Sequence, residues 1–402
     1  MRILVISNLY PPVAVGGYEI RCAHTVQWLA RRHEVLVLTS RRGRRGAARE
    51  EGVLRELPFL SQDVRGSLRA PLASLRAARS VRRALAAQQP DLVFVWNASQ
   101  IPRAAVRIAQ RWGCAVAFSV ADPWLGSFAE GDQFLRHLLP SDRGARRVWA
   151  ALVRLVNRLP SLRIELRDSR PAAIVWNSEA LREMTAIPPQ IEPTLQRVIY
   201  PASRHEELFA GIERVPAPTP TVAFVGRIEW QKAPDIACRA VALLGERHGI
   251  TARLVLAGTG EAPARRALRE LVHELGIEDR VELRGALAPR DVAELLASAH
   301  ALLVPSRWQE PFGLVCLEGA LARVPVVASR SGGMPEMLCS EQEALFFEID
   351  DVEGCAAALA RTLAEPGASQ ERARRAFARA GAYSLERYRA AYDAFVEEAA
   401  RA

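Results

Sequence analysis

Residues 301–329 read ALLVPSRWQEPFGLVCLEGALARVPVVAS, and two short apolar runs in this stretch are separated by a loop and a helix-like segment. The runs at 301–306 and 325–329 predict buried strands, because each is short, apolar and bounded by polar residues. A helix is predicted to begin near Gly313. Two continuous apolar strands joined through a helix indicate a βαβ unit of a parallel sheet that is covered on both faces.

The same alternation extends along the chain in both directions. It is interrupted at 211–220, GIERVPAPTP, where three prolines and the lack of periodicity predict a linker. The predicted fold class is therefore α/β, with two doubly wound sheets whose ligands bind beyond the carboxyl ends of the strands. The other predicted strands are 2–7, 34–40, 91–97, 115–122, 172–178, 221–228, 252–258, 281–287 and 344–350, with helices at 18–32, 67–88, 102–112 and 384–402.

Length and composition narrow the class of protein. A chain of 402 residues corresponds to about two or three domains, and 50% apolar with 25% charged residues excludes a wholly disordered chain. No apolar run reaches the ~18 residues of a membrane span, and the N-terminal MRILVISNLYPP predicts a first strand and not a signal peptide. Six widely spaced cysteines without C-x-x-C argue against zinc and for buried thiols in the cytoplasm.

The net charge of +9 is unevenly distributed. The first 216 residues hold 32 basic and 19 acidic residues, whereas the remainder is slightly acidic. Such asymmetry points to a local partner surface on the first half. Only one of the 54 basic residues is a lysine, Lys232.

Two clusters lie at predicted strand ends in the second half. Gly226-Arg227 stand five residues before Lys232, and an Arg fork with a Lys point charge suits a diphosphate, although both could be ordinary surface cations. Gly258-Thr259-Gly260 would let the backbone approach a phosphate or ribose. The alternative is a tight turn that binds no ligand, and the full dinucleotide-binding fingerprint G-x-G-x-x-G is absent.

The third cluster contains two acidic residues at the start of the helix predicted near Gly313. Glu310 stands just before the free amides of Phe312, Gly313 and Leu314, and Glu318 lies about one turn inside the helix. One carboxylate could accept hydrogen bonds from sugar hydroxyls and the other from a ribose diol. The alternative is that Glu318 is only a surface carboxylate.

These motifs resemble those of retaining glycosyltransferases of family 4. The resemblance rests on the two glutamates around P-F-G-L, on Gly226-Arg227 with Lys232, and on three other segments in the expected order across residues 1–340. Those segments are the N-terminal loop with Pro11-Pro12 and Gly16-Gly17-Tyr18-Glu19, the run PVVAS at 325–329, and GGMPE at 332–336.

The resemblance implies a GT-B fold, in which two Rossmann-like domains face each other across a cleft. Residues 1–200 would form the acceptor-binding domain together with a crossing helix at 384–402, and residues 201–383 the nucleotide-sugar-binding domain. The implied activity is transfer of a hexose, with retention of anomeric configuration, from a UDP- or GDP-linked sugar to an acceptor hydroxyl. No cofactor and no metal are implied, and the implied pathways are the synthesis of cell-surface polysaccharide, glycolipid or glycosylated natural products.

The resemblance also assigns roles to single residues. Arg227 and Lys232 would hold the diphosphate, Glu318 the ribose and Glu310 the transferred hexose, so Glu310, Arg227 and Lys232 are the implied catalytic residues. The other implied donor-binding residues are Gly226, Gly258, the pair Arg284 and Gly285 near the base, the amides of Phe312, Gly313 and Leu314, and Gly16 and Gly17, which would close over the phosphates.

The first half departs from the family pattern at two positions. The family often carries His-Asp at the end of the fourth strand of this domain, where this chain has Ala121-Asp122, and Asn97 replaces a common His after the third. Asp122 and Asn97 are therefore the candidates for contact with the acceptor, and the effect of Ala121 is left open.

Two arginine-rich stretches, 67–83 and 143–170, predict amphipathic helices. Their arginines are either simply solvated or form a surface for anionic lipid, which would place the protein at the inner face of the membrane. No nucleic-acid motif or aromatic platform accompanies the charge, so a nucleic-acid partner is not predicted. The remaining rivals are other enzymes of the same fold: an epimerase, which needs additional acid and base groups, and a phosphorylase, which needs a pyridoxal lysine.

Overall fold

The computed structural model describes residues 1–13, 16–42, 48–60, 64–127, 169–339 and 341–402. The chain divides into two compact units. The first comprises residues 1–177, 181–199 and 389–402, and the second comprises residues 178–180 and 200–388. In the described ranges, no helix is both long enough and apolar enough to cross a membrane.

In its described residues, the first unit contains eight strands: β1 (Arg2–Ser7), β2 (Glu34–Ser40), β3 (Ala48–Glu50), β4 (Val53–Leu57), β5 (Leu92–Asn97), β6 (Ala115–Val120), β7 (Arg170–Trp176) and β8 (Ile191–Val198). They form one sheet with the order β3-β4-β2-β1-β5-β6-β7-β8. Only β3 and β4 pair antiparallel. At the centre of the sheet, Val5 pairs with Val37 on one side and with Phe94 on the other.

The helices of this unit cover the sheet with apolar stripes. Among the described residues these helices are α1 (Gly17–Leu29), α2 (Val64–Gln88), α3 (Ala104–Gln110), α4 (Trp124–Ser127) and α5 (Glu179–Met184). The first two residues of α5 belong to the second unit. In α1, Cys22, Val26 and Leu29 are buried at helical spacing, which is why this segment folds as an amphipathic helix against the sheet.

The second unit contains six strands: β9 (Thr221–Val225), β10 (Arg253–Ala257), β11 (Val281–Gly285), β12 (Ala301–Val304), β13 (Val326–Ser329) and β14 (Leu345–Phe347). All neighbours are parallel, in the order β11-β10-β9-β12-β13-β14. The helices are α6 (Glu206–Gly211), α7 (Pro234–His248), α8 (Ala262–Glu274), α9 (Pro289–Ser298), α10 (Leu314–Leu321), α11 (Met334–Met337), α12 (Val352–Ala364) and α13 (Pro366–Ala380), with 3₁₀ turns at Trp230–Lys232 and Gly381–Tyr383.

The last helix, α14 (Leu385–Arg401), contributes residues 389–401 to the first unit. Its buried Tyr392 stacks on Trp96, with ring centroids 5.8 Å apart, and Phe395 packs 6.0 Å from Phe94. These aromatic contacts fix the C-terminal segment on β5, the central region of the first sheet.

The predicted α/β class with two parallel-sheet domains is confirmed. In the second unit all six predicted strands are present, but each is shorter than its apolar run. Ile228 shows why: it is buried, yet its amide donates to the carbonyl of Thr259 in a loop, so its burial does not come from a sheet ladder.

The linker predicted at 211–220 is wrong. The chain passes between the units at Ile199 and Tyr200, and residues 212–220 lie within the second unit. Arg214 holds this segment through the carbonyls of Leu296 and Ala299, at 3.3 and 2.9 Å. The prolines belong to an extended surface segment, which the side chain of Arg214 anchors to the second unit. Hydrophobic periodicity cannot predict such an anchor, because it depends on one arginine.

Candidate active site

The loops that follow β9, β10 and β12 meet at the carboxyl edge of the second sheet. The amide of Gly226, after β9, donates to the carbonyl of Ala257 at 2.9 Å, and that of Gly258 donates to Gly285 at 2.7 Å. Because β9 lies between β10 and β12, the loops after these three strands become neighbours. This edge is where ligands of parallel α/β sheets bind.

The glycines after β10 serve chain packing. A Cβ on Gly258 would stand 1.8 Å from the carbonyl oxygen of Gly226, and one on Gly260 would stand 2.6 Å from that of Ile228. Gly258 also has a φ of +154°. The glycine turn is therefore explained by the close approach of two loops, without any ligand.

Lys232 and Glu310 form the centre of the candidate site. Lys232 ends the 3₁₀ turn Trp230–Lys232 and its Nζ lies 2.5 Å from Oε1 of Glu310, in the loop after β12. The Glu310 side chain is 8% exposed and that of Lys232 27% exposed. Lys232 and Glu310 are 78 positions apart in the sequence, and the fold brings them into contact as an ion pair. Solvent reaches this pair from the lysine side, because Lys232 is the more exposed of the two.

Several polar groups fix Glu310. The hydroxyl of Ser306 donates to Oε1 at 2.6 Å, and the Glu310 amide donates to the hydroxyl of Ser331 at 3.2 Å. Gly333 donates its amide to the Glu310 carbonyl at 2.7 Å. At Gly332, where φ is +52°, a Cβ would lie 2.1 Å from that same carbonyl oxygen, so the backbone of the Gly332-Gly333 pair can pass here only without a side chain.

The helix α10 begins beside Glu310. Its N-cap Gly313 has a φ of +84°, and a Cβ there would stand 2.5 Å from Cγ of Met334. Phe312 is 2% exposed and packs against Tyr200 and Tyr383, so its side chain belongs to the core. In this segment the backbone amides, and not the Phe312 side chain, are available to a ligand. The first amides of a helix have no acceptor within the helix and carry partial positive charge.

Glu318 lies one turn inside α10 and is partly buried. The hydroxyl of Ser203 donates to its Oε1 at 3.4 Å. Burial raises the pKa of Glu318 to about 7, because desolvation outweighs the hydrogen bond from Ser203 and the charge of Arg204. Sequence reasoning missed Ser203 and Arg204, because they come from a loop more than one hundred residues away and no motif contains them.

Two predicted cations have acidic partners of their own. Arg227, about half exposed, lies 2.8 Å from Glu229. Arg284, at the end of the edge strand β11, pairs with Glu282 at 2.9 Å. Arg227 follows β9 and Arg284 is the penultimate residue of β11, but the structure places neither guanidinium group in the Lys232–Glu310 pair.

The glycine pair of the first unit stands at the start of α1. The Gly16 amide donates to the carboxylate of Glu19 at 3.0 Å, which caps the helix. Nothing lies within 4 Å of a Cβ built on Gly16 or Gly17, and neither has a positive φ. Folding of the described chain therefore does not explain why both positions are glycine.

Asp122 follows β6 and Asn97 is the last residue of β5, and each caps its own turn. The Asp122 carboxylate accepts the amide of Trp124 at 3.0 Å, and burial raises its pKa to about 6. Asn97 is buried, and its Oδ1 accepts the amide of Ser99 at 2.9 Å. Asp122 as a residue is partly exposed, whereas Asn97 is buried and its Oδ1 is bound within the turn. Ala121 is buried.

In the part of the chain that the structure describes, no three His, Cys, Asp or Glu side chains cluster as metal ligands would. The predicted absence of a metal stays a prediction. The predicted arginine-rich stretch 143–170 lies, up to residue 168, outside the described residues.

Comparison with known proteins places the chain in a family. The family described as "Glycosyl transferases group 1" matches residues 206–381, and that described as "Glycosyl transferase 4-like domain" matches residues 16–178. A D-inositol 3-phosphate glycosyltransferase of Acidothermus cellulolyticus is 31% identical over 318 residues, which are 75% of this chain and 66% of that protein. The match spans 36–66% of the length of this and two other curated relatives.

Solved structures show the same fold at low identity. The sucrose-phosphate synthase of Thermosynechococcus elongatus superposes with a TM-score of 0.72 at 19% identity, covering 99% of this chain and 98% of that one. HepE of Anabaena, in complex with UDP, has a TM-score of 0.67 at 19% identity and covers 99% and 100%. The two parallel-sheet domains are thus those of the GT-B fold, and the chain belongs to the group 1 glycosyltransferases, with an N-terminal domain of the family 4-like type.

Proposed function

We propose that the protein transfers a hexose from a nucleotide-diphosphate sugar to an acceptor hydroxyl, with retention of anomeric configuration. The observation that carries this proposal is the contact of Lys232 with Glu310 beside the start of α10. Lys232 is a cation that suits a diphosphate, and Glu310 is a carboxylate that can accept hydrogen bonds from sugar hydroxyls. The two side chains lie together at the sheet edge where ligands of such sheets bind.

The charges of the site suit the departure of a diphosphate. Breaking the bond between the anomeric carbon and the phosphate oxygen places negative charge on the diphosphate and positive charge on the sugar. Lys232, and the first amides of α10, would stabilise the departing group where its charge develops. Arg227 would add a second cation by exchanging Glu229 for a phosphate oxygen.

The carboxylates would hold the two sugars. When Lys232 turns to the diphosphate, Glu310 loses its partner and its oxygens become available to hydroxyl groups of the hexose, while Ser306 keeps the side chain in place. Glu318 would accept hydrogen bonds from the ribose diol. A donor is therefore recognised by an exchange of partners at positions that the fold already fixes.

Retention is expected from attack on the same face of the sugar. The acceptor oxygen forms a bond to the anomeric carbon as the carbon–oxygen bond to the diphosphate breaks, and the acceptor proton passes to a phosphate oxygen of the leaving group. Atoms and charges balance without a protein nucleophile, a cofactor or a metal ion. Gly16 and Gly17, whose lack of side chains the described fold does not explain, would let backbone approach the phosphates.

The donor is proposed to carry UDP or GDP. Support for UDP comes from HepE, a protein of the same fold that is described in complex with UDP. The acceptor is a glycan, a lipid-linked sugar or a small polyol, and the name of the Acidothermus relative makes inositol 3-phosphate one compound to test. Asp122 is the residue of the first unit proposed to contact the acceptor.

Calorimetric titration with UDP and GDP, followed by transfer assays with their hexose conjugates, tests the proposal. Lys232→Met should weaken nucleotide binding about 10- to 100-fold, since a charge-assisted hydrogen bond contributes about 1.5–3 kcal/mol. Glu310→Gln should abolish transfer while leaving nucleotide binding within a few-fold. Both should stay folded, as judged by melting temperature.

The matched controls are Arg374→Met and Glu371→Gln, which remove an exposed ion pair of the same unit on α13. They should bind and react like the wild type. The proposal is wrong if the wild type binds neither nucleotide at millimolar concentration, or if the Lys232 and Glu310 variants keep full activity.

A further inference from the structure

The loops that carry Lys232 and Glu310 must stay together for the donor to be held. Lys232 belongs to the turn after β9 and Glu310 to the loop after β12, and their ion pair directly links the two segments. In the proposed function the donor separates these two side chains. The ion pair therefore cannot be what keeps the loops aligned once the donor is bound.

A second set of contacts joins the same loops, and Arg307 is at its centre. The main-chain amides of Arg307 and Trp308 both donate to the carbonyl oxygen of Gln231, at 3.0 and 3.2 Å. The side chain of Arg307 donates from Nη1 to the carbonyl of Trp230 at 3.3 Å. Two successive carbonyls of the turn just before Lys232 are thus bound by the loop that leads to Glu310.

The guanidinium of Arg307 also forms hydrogen bonds with two acidic side chains. Its Nη1 and Nη2 donate to the two oxygens of Asp235 at 2.8 and 2.6 Å, and its Nε donates to Asp350. Asp235 is the second residue of α7, and Asp350 follows β14. The guanidinium further lies 5.6 Å from the ring centroid of Trp230, a side chain that is 70% exposed.

The contact between Arg307 and Asp235 favours the charged forms of both side chains, since it raises the pKa of Arg307 and lowers the pKa of Asp235. Burial alone would raise the pKa of Asp235, but the hydrogen bonds and charge of Arg307 lower it below its usual range. The Arg307 side chain is 11% exposed and the Asp235 side chain 34% exposed, so water reaches the two-point contact mainly from the aspartate side. A planar fork of this kind fixes direction as well as distance, which an ammonium cannot do.

We propose that Arg307 is a positioning residue that holds the turn Trp230–Lys232 against the Glu310 loop, so that Lys232 meets the diphosphate of the donor. This inference rests on the proposed function and adds a residue to its site. Arg307 acts through Asp235 and the carbonyls of Trp230 and Gln231, and it does not touch the donor.

The test compares Arg307→Lys with Lys232→Met, singly and combined, in titrations with the nucleotide that the wild type binds, UDP or GDP. Arg307→Lys should weaken binding of the diphosphate about tenfold. Binding of the corresponding nucleoside, followed by ligand-detected NMR, should change less than twofold, because the nucleoside has no group for Lys232. In the Lys232→Met background, Arg307→Lys should have no further effect on the diphosphate.

Asp235→Asn weakens the same two-point contact from its other end and should reproduce the selective loss, also in the event that Arg307→Lys does not fold. Arg247→Lys, in an exposed pair with Glu353, is the control and should bind like the wild type. The inference is overturned if nucleoside and diphosphate affinity fall equally, if the Arg307 and Lys232 effects multiply, or if a folded Arg307→Lys or Asp235→Asn binds normally. A wild type that binds neither nucleotide overturns the proposed function itself, and this inference with it.

Discussion

The hydroxyl of Ser203 lies 3.4 Å from Oε1 of Glu318. A hydrogen bond of this length is weak, so it offsets only a small part of the free energy that the carboxylate loses when burial removes its water. The pKa of Glu318 is accordingly raised to about 7, with desolvation as its main cause. The folded protein thus holds a proton that the unfolded chain releases near the ordinary value of 4.5.

Glu318→Gln should therefore change the pH dependence of stability. Between about pH 4.5 and 7 the native state binds more protons than the unfolded state, so the contribution of Glu318 to stability falls as pH rises through this window. Glutamine removes this effect, and the variant should gain up to about 3 kcal/mol on the wild type between pH 5 and pH 8. Urea denaturation at both pH values measures the difference. The exposed Glu353→Gln should follow the wild type, and a parallel course of the Glu318 variant would contradict the raised pKa.

Gly332→Ala should displace Glu310. The new Cβ would stand 2.1 Å from the Glu310 carbonyl oxygen at a residue with a φ of +52°, so either the backbone shifts or the protein loses at least about 2 kcal/mol of stability. Transfer activity should fall with it, because Glu310 is held at that point. Thermal denaturation and the transfer assay report both effects. Gly367→Ala, on α13 where nothing lies within 4 Å, should be neutral or stabilise by up to about 1 kcal/mol. Equal behaviour of the two variants would mean that the Gly332 contact is not needed.

Glu336→Ala should destabilise the second unit. Its carboxylate accepts the amides of Glu179 and Ala180, at 2.9 and 2.5 Å, and the hydroxyl of Tyr200 at 2.9 Å. Loss of three hydrogen bonds to a charged, partly buried group should cost about 2–4 kcal/mol in urea denaturation. Glu348→Ala removes an exposed carboxylate of the same unit and should cost less than about 0.5 kcal/mol. A loss below 1 kcal/mol for Glu336→Ala would show that water replaces these bonds.

The motif GGMPE at 332–336 illustrates how much of the site could be predicted from the sequence. The resemblance singled out this motif along the chain but assigned no role to its residues. In the structure, Gly332 and Gly333 make room for the backbone at Glu310, while Glu336 binds the amides at 179–180. These tasks depend on distances between segments that are far apart in sequence, and no local pattern contains them.

Strand prediction failed where the environment of a strand differs from its local pattern. β8 carries Pro193 and mostly exposed residues, because it is an edge strand, where a missing amide and polar side chains are tolerated. β4 carries the buried Arg55, whose charge is satisfied by Glu50 and by the carbonyl of Tyr10. The apolar strands β1 and β2 were predicted with their observed bounds, since β1 is buried from Ile3 to Ser7 between β2 and β5, and β2 is buried from Val37 to Ser40, where it pairs with β4.

The long helix α2 separates apolar from basic residues as the sequence predicted. In its described side chains, Ala77, Val81 and Leu85 are buried against the sheet, whereas Leu72 is 54% exposed. The arginines on the solvent side are Arg69, Arg76, Arg79, Arg82 and Arg83, the last paired with Glu56. An exposed leucine among arginines is the chemistry that an anionic lipid surface attracts.

We expect the triple change of Arg69, Arg76 and Arg79 to Gln to weaken binding to phosphatidylglycerol vesicles about 100-fold at low salt, since each arginine near an anionic surface contributes about 1 kcal/mol. Cosedimentation measures the bound fraction, and high salt should remove most wild-type binding by screening. The same charge change at Arg361, Arg374 and Arg375, exposed residues of the second unit, is the control and should bind like the wild type. If the wild type does not sediment with vesicles at low salt, or if the control loses as much binding, α2 is not a membrane surface and its arginines are simply solvated.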